Sequence, residues 1–305
     1  MKTLMATDGS PEATGALSAA SRFLRKQNNA VSVLCVAPEP TIKLSANGAR
    51  NGPKRIRDAY RKKIVKETQA IVSTGQATLA KEGVKSEPIT QFGSPAGIIQ
   101  QLTGDYDVTV VGATGRRDRS LIGIGPVAGR AVEHGHGVVL VIRKPSAERN
   151  WRALVAVDGS NASQRALNAL KLYFDIAAAE LTVMHVVETP WVHLGLSAEW
   201  LNYPDDIPDQ VDPEIQLEKE LGREAENIVE EAARQLEGYA LEVNTVVREG
   251  NPANEILGEA ELEGYDLIVL GATGASDLKH QMLGSVSAKV AAQANCSVAV
   301  VKVRE

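Results

Sequence analysis

Leu267-Ile268-Val269-Leu270 runs directly into Gly271-Ala272-Thr273-Gly274, and nine residues later comes Gly284-Ser285. The apolar run has the composition of a strand buried on both faces. The glycines after it allow positive φ and close backbone approach. Gly284 opens a helical stretch whose first N–H groups and dipole favour an anion. Such a loop suits a phosphate. The same arrangement occurs earlier as Gly112-Ala113-Thr114-Gly115, nine residues, then Gly125-Pro126. The chain therefore holds two copies of one loop, and the copies differ in chemistry.

The duplication extends along the whole chain. Thr3 to Ser10 (TLMATDGS) matches Ala153 to Ser160 (ALVAVDGS), and Val31 to Pro40 matches Leu181 to Pro190. Gly93-Ser94-Pro95 matches Gly250-Asn251-Pro252, Tyr106-Asp107 matches Tyr265-Asp266, and Val138 to Lys144 matches Ser297 to Val303. A repeat this long is a whole domain. The expected domains are 1–148 and 149–305, consistent with the usual domain size of roughly 100–200 residues.

Each copy alternates short apolar runs with helical stretches. The second reads strand 153–157, helix 161–175, strand 181–187, helix 214–236, strand 241–247, helix 252–262, strand 266–270, helix 284–294 and strand 297–303. This order predicts an α/β fold, a doubly wound parallel sheet with helices on both faces. Ligands in such sheets sit beyond the carboxyl ends of the strands. Asp158 and Gly271 both fall there, so they can share one crevice. The closing strands VVLVIRK and SVAVVKV are apolar edges of the kind that pair. They predict intramolecular pairing of the two repeats about a pseudo-two-fold axis.

Composition narrows the class. Apolar residues make up 44% of the 305 residues, enough for two cores. No apolar run approaches the roughly 20 residues that span a bilayer. The N-terminus lacks the pattern of a secretory signal. Cys35 and Cys296 lie in different repeats and are expected as reduced thiols. These features point to the cytoplasm and give no membrane role. Residues 1–148 carry 21 Lys+Arg against 12 Asp+Glu, whereas 149–305 carry 12 against 26. Matching helices account for much of the contrast, one from Lys54 to Lys66 and the other from Glu214 to Glu231. They read as solvated faces or as complementary charge between repeats or subunits. The adjoining acidic half and the scarcity of aromatics argue against nucleic acid. His134 and His136 lack the companions of a metal site.

The candidate site residues follow from the loop. Ser285 and Ser287 add hydroxyls that can donate to phosphate oxygens or help ligate a metal ion. Asp277, Lys279 and His280 lie between the glycines, either near a terminal phosphate or merely solvated. Asp158 either accepts from a ribose hydroxyl or base, or caps the next helix, since Asp-Gly-Ser is good capping and turn chemistry. In the first repeat Pro126 has neither N–H nor hydroxyl, and Ala128 replaces the second serine. Arg116, Arg117 and Arg119 add charge to that loop. Nucleotide binding there is expected to be weak or absent. Trp191, Trp200 and Tyr203, in the insertion 190–213, either cover a crevice or pack locally.

Aspartate after the first strand, Gly-x-x-Gly-x9-Gly-Ser after the fourth and a fifth strand that can pair together resemble the universal stress protein family, twice over. The resemblance implies a Rossmann-like sheet of five strands in the order 3-2-1-4-5. It also implies ATP binding, usually with Mg2+. Ala156, Asp158 and Val186 would hold the adenosine. Gly271, Gly274, Gly284, Ser285, Val286 and Ser287 would hold the phosphates, with Leu270 and Ala272 flanking. Asp8, Gly112, Gly115 and Gly125 mark a degenerate second site. The leading function is a nucleotide-dependent regulatory module acting on an unnamed protein partner, with a homodimer as one form of assembly. The alternatives are a slow ATP hydrolase and a nucleotide-free structural or chaperone-like protein. The chain contains no Walker lysine motif and no Gly-x-Ser-x-Gly elbow.

Overall fold

The structure is a computed structural model and describes residues 1–39, 52–115, 123–143, 150–188, 213–274 and 283–303. The Arg116–Arg119 loop, the Trp191–Tyr203 insertion and the Asp277–His280 loop lie outside these residues. The chain forms two compact units. The continuous part of the first is Met1–Pro145; the second comprises Ser146–Leu172 and Ile176–Val301.

In the first unit the elements follow in the order β1 (Lys2–Ala6), α1 (Pro11–Phe23), β2 (Ala30–Ala37), α2 (Gly52–Lys81), β3 (Ser86–Phe92), α3 (Pro95–Leu102), β4 (Val108–Gly112), α4 (Pro126–His134) and β5 (Val138–Ile142). The strands are parallel, in the order β3-β2-β1-β4-β5. In the second unit they are β6 (Trp151–Ala156), α5 (Asn161–Tyr173), β7 (Ala179–Val187), α6 (Pro213–Leu236), β8 (Glu242–Glu249), α7 (Pro252–Glu263), β9 (Leu267–Gly271), α8 (Ser285–Gln293) and β10 (Ser297–Val301). Its parallel order is β8-β7-β6-β9-β10. Both units thus have the expected 3-2-1-4-5 arrangement. The strand order reverses between β1 and β4 in one and between β6 and β9 in the other.

Why these residues form these elements is plain from their burial. β4 (VTVVG) and β9 (LIVLG) are buried at every position but the final glycine. The outer strands β3 and β8 are mostly exposed or half-buried and carry charged residues. β3 also contains Pro88, tolerable where one side of the strand makes no ladder. Proline opens α1, α3, α4 and α7, where its missing N–H has no intrahelical acceptor to lose.

The amino-terminal rim of each sheet is fastened the same way. The Lys2 N–H donates to Asp107 Oδ2 at 2.7 Å, and the Asp107 N–H returns a bond to Lys2 O at 2.9 Å. Arg152 and Asp266 repeat the exchange at 2.9 Å in both directions. The neighbouring tyrosines are also placed alike. Tyr106 OH donates to Ser32 Oγ at 3.1 Å, and Tyr265 is hydrogen-bonded to Thr182. Burial pushes the Tyr265 phenol above its usual value, with the Thr182 bond acting the other way. Arg152 lies 4.8 Å over the Tyr265 ring.

One ion pair of the second unit has no counterpart at the matching positions of the first. Arg248 donates through Nε (3.1 Å) and Nη2 (2.8 Å) to Glu259 Oε2, a carboxylate 8% exposed. Gln91 and Leu102 occupy the matching positions of the first repeat.

Candidate functional site

The crevice of the second unit lies where β6 and β9 end. Beyond β6 the chain turns through Asp158-Gly159-Ser160. Gly159 has φ of 72°, a left-handed conformation that favours glycine. Asp158 Oδ1 accepts from the Ser160 N–H at 3.1 Å and sets the turn. Helix α5 is capped by Ser160, whose Oγ accepts from the N–H groups of Ala162 and Ser163, both at 3.2 Å. The capping role considered for Asp158 therefore belongs to Ser160. The first unit is the same. Asp8 Oδ1 accepts from Ser10 N–H at 2.9 Å, and Ser10 Oγ from Ala13 N–H at 3.1 Å.

The glycines from the end of β9 onward meet three different neighbours. A Cβ on Gly271 would lie 2.8 Å from the backbone and Cβ of Ala162, so this glycine lets β9 abut the start of α5. A Cβ on Gly274 would lie 3.2 Å from Asp158 Oδ2. The loop therefore passes directly over the aspartate, 116 residues earlier in the chain. A Cβ on Gly284 would lie 3.2 Å from Ala272 O. Neither Gly271 nor Gly274 has positive φ, so their value is close approach and not the left-handed backbone that the motif suggested.

Two expected phosphate donors are otherwise engaged. The Gly284 N–H donates to Ala272 O at 2.7 Å. Ser287, 3% exposed, directs its hydroxyl to Gly271 O (2.9 Å) and Ala272 O (3.0 Å). Both tie the loop to α8. The first intrahelical bond of α8 runs from Ala288 N–H to Gly284 O. The amides of Ser285, Val286 and Ser287 form the opening turn, which has no intrahelical acceptors. Ser285 is exposed and Val286 half-buried. Leu270 and Ala272 are buried at 3% and 5%; they support the loop.

The opposite wall comes from β7. Ala156 is the last residue of β6 and pairs with Met184. Met184 O accepts from Val157 N–H at 2.9 Å, so Met184 faces β6. Backbone groups alternate sides along a strand. Val186, two residues on, hence also directs its N–H and C=O toward β6, past its end and level with Asp158. His185, between them, places Nδ1 2.8 Å from Val157 O. A carbonyl can only accept, so Nδ1 carries the proton. The sequence reading missed this histidine because its partner is a backbone atom just past the end of β6.

In the first unit the corresponding crevice is a cavity of about 620 Å³. Asp8, Gly112, Gly115, Gly125 and Pro126 all line it. A Cβ on Gly115 would lie 2.8 Å from Asp8 Oδ2, so the loop and aspartate meet here too. Gly125 N–H donates to Ala113 O at 2.7 Å, as Gly284 does to Ala272. Pro126 opens α4 with no amide proton, and Ala128 cannot make the brace of Ser287. Cys35 stands where the second unit has His185; neither Cys35 nor Cys296 is in a disulfide.

Among the described residues no helix is long and apolar enough to cross a membrane. Two doubly wound parallel units, each with an aspartate turn facing a glycine loop at the carboxyl edge, define a protein of the α/β class. The profile of the universal stress protein family matches residues 1–143 and again 151–302, so the chain belongs to that family and carries two of its domains in tandem. Universal stress protein YxiE of Bacillus subtilis is 36% identical over 151 residues, spanning 50% of this chain and 98% of its own. Universal stress protein MJ0531 of Methanocaldococcus jannaschii is 36% identical over 155 residues, spanning 50% of this chain and 81% of its own. A crystal structure of a universal stress protein from Archaeoglobus fulgidus superimposes with a TM-score of 0.61 at 20% identity. It covers 99% of this chain and 96% of that one, and it supports the fold.

Proposed function

We propose that the chain is an adenine-nucleotide-binding regulatory protein that takes ATP mainly in its second repeat. The observation that carries this is the approach of Gly274 to Asp158, a gap a single Cβ would close to 3.2 Å. It sets the Asp158 carboxylate against the glycine loop that precedes α8 in the chain. A nucleotide has matching ends. Its ribose hydroxyls donate to Asp158, and its base reaches the backbone of Val186 and Ala156. Its phosphates meet the amides of Ser285, Val286 and Ser287, where the helix dipole favours negative charge.

The residues present also fit a divalent ion carried by the nucleotide. Among the described residues no cluster of His, Cys, Asp or Glu could hold a metal. Mg2+ would therefore be held chiefly by phosphate oxygens, with the Ser285 hydroxyl as the protein's contribution. Its chemistry there is neutralisation of phosphate charge. The role of the nucleotide is to bias the protein between conformations or partners, as far as its affinities for the two states differ.

Calorimetric titration of the full chain with ATP and magnesium tests the reading. The expected stoichiometry is about one nucleotide per chain, at least tenfold weaker in Gly284→Asp, which adds bulk and negative charge beside Ala272 O. Uptake unaffected by that substitution, or no uptake at all, overturns it. Mass spectrometry of nucleotide released from purified protein identifies the ligand's phosphate count.

A further inference from the structure

The ladder between β6 and β7 ends on an irregular rung. Val157, one residue past β6, donates its N–H to Met184 O at 2.9 Å. In a regular parallel ladder the Val157 carbonyl would next accept from the Val186 N–H. Among the described residues that bond is not made. The carbonyl is met instead by His185 Nδ1, at 2.8 Å, from the side chain of the intervening residue. One imidazole thus takes the place of one backbone amide.

The exchange leaves a donor over. Among the described residues the Val186 N–H has no acceptor, although Val186 is only 9% exposed. Leaving a buried amide without an acceptor costs free energy, which a ligand acceptor at this place recovers. The Val186 N–H and C=O both point past the end of β6, so a donor and an acceptor stand side by side. Adenine matches them along its pairing edge, with a ring-nitrogen acceptor beside an amino donor. Guanine reverses both, with a ring N–H beside a carbonyl. A site built to hydrogen-bond one pattern rejects the other, because its buried polar groups are then left unpaired.

The first repeat braces its turn in another way. Thr7 donates its N–H to Leu34 O at 2.9 Å, as Val157 does to Met184 O. Cys35 stands in place of His185, and a thiol is a weaker donor than a ring N–H. Thr7 Oγ1 accepts from the Gly9 N–H at 3.1 Å. Val157 has no hydroxyl, so the second repeat cannot brace its turn from within in this way.

We propose that His185 is a positioning residue for base recognition. By occupying the Val157 carbonyl it keeps the Val186 amide open for the acceptor on the edge of adenine, and so sets a preference for ATP over GTP. This rests on the nucleotide reading of the second repeat.

The test follows the amide and the ligand separately on the full chain. Without nucleotide, NMR hydrogen exchange at the Val186 amide should be at least tenfold faster than at Val187, which is paired with Glu249 in the β7–β8 ladder. His185→Ala releases the Val157 carbonyl to that amide, and Val186 exchange should slow at least tenfold. By calorimetry the same substitution should weaken ATP at least tenfold, reduce its advantage over GTP and leave inorganic tripolyphosphate within twofold. A general structural defect would weaken tripolyphosphate as well. His185→Asn, whose side-chain amide can donate to the same carbonyl, should return exchange and ATP affinity to within threefold of the unmodified chain. Val186 exchange as slow as that of Val187 in the unmodified chain overturns the proposal, and this reading needs no variant to fold. So does an equal loss of ATP and tripolyphosphate in His185→Ala, an unchanged ATP affinity there, or no rescue by asparagine. Failure of the nucleotide reading shows differently, as no ATP uptake by the unmodified chain; exchange at Val186, measured without nucleotide, then still decides whether His185 holds the amide open.

Discussion

The two crevices share a backbone and differ in what they present to a ligand. Both have an Asp-Gly-Ser turn, a glycine loop within van der Waals reach of the aspartate, and a loop carbonyl taking the amide at the helix start at 2.7 Å. The second adds a histidine against the Val157 carbonyl and a serine against two loop carbonyls. The first has cysteine and alanine there, and a proline at the first turn of its helix. The lesson is that main-chain contacts build the cradle, so side chains around it can change its chemistry without unmaking it.

The steepest way to break this symmetry is steric. Gly271→Ala places a methyl 2.8 Å from the Ala162 backbone, whereas the nearest atom to a Cβ on Gly112 is Thr114 O at 3.2 Å. Overpacking at the first should cost about 3 kcal/mol and at the second about 1 kcal/mol, measured as shifts in urea midpoint; equal losses would contradict the packing described. Next comes the ion pair without a counterpart. Arg248→Ala leaves Glu259 buried without its partner; with the arginine side chain 44% exposed, the loss should be about 2 kcal/mol. Gln91→Ala in the first repeat should cost almost nothing.

The third prediction sharpens the comparison at the ligand. Ser285→Pro copies the first repeat into the second. Proline is accepted at a helix start, so stability without nucleotide should change by less than about 0.5 kcal/mol. ATP affinity should fall about tenfold, or about 1.4 kcal/mol; unchanged affinity would mean that the first amide and hydroxyl of α8 are not used. Ser287→Ala removes the brace on the loop carbonyls and should cost about 1 kcal/mol, read by thermal unfolding. The smallest effect concerns pH. The Tyr265 phenol titrates above its unfolded value of 10.0 because burial disfavours its charged form. Its contribution is complete below that pH and is lost as pH rises through the folded value. Stability should therefore decline above about pH 10, less so in Tyr265→Phe.

Much of this was legible from residue patterns. Near-continuous apolar runs such as LIVL mark strands covered on both faces, and the helices between them leave only parallel connections. The motif also located both loops, because glycine is needed where a strand abuts a helix. Less legible was the division of labour among polar groups. Asp158 and Ser160 are two residues apart and both suit a cap, and only coordinates show that the serine takes it. Ser287 looks like a ligand donor, yet its hydroxyl serves carbonyls 15 and 16 residues earlier. Arg248 and Glu259 give no local signal, since their pairing depends on how α7 packs beside β8.

The aspartates before β4 and β9 have a consequence for redesign. Each clasps the first strand of its sheet with a reciprocal pair of bonds at the end remote from the crevice. Strand alignment is thereby anchored at the floor of each sheet, independently of anything at its roof. Grafting foreign loops onto the roof, to give either half a new appetite, should leave both sheets in register.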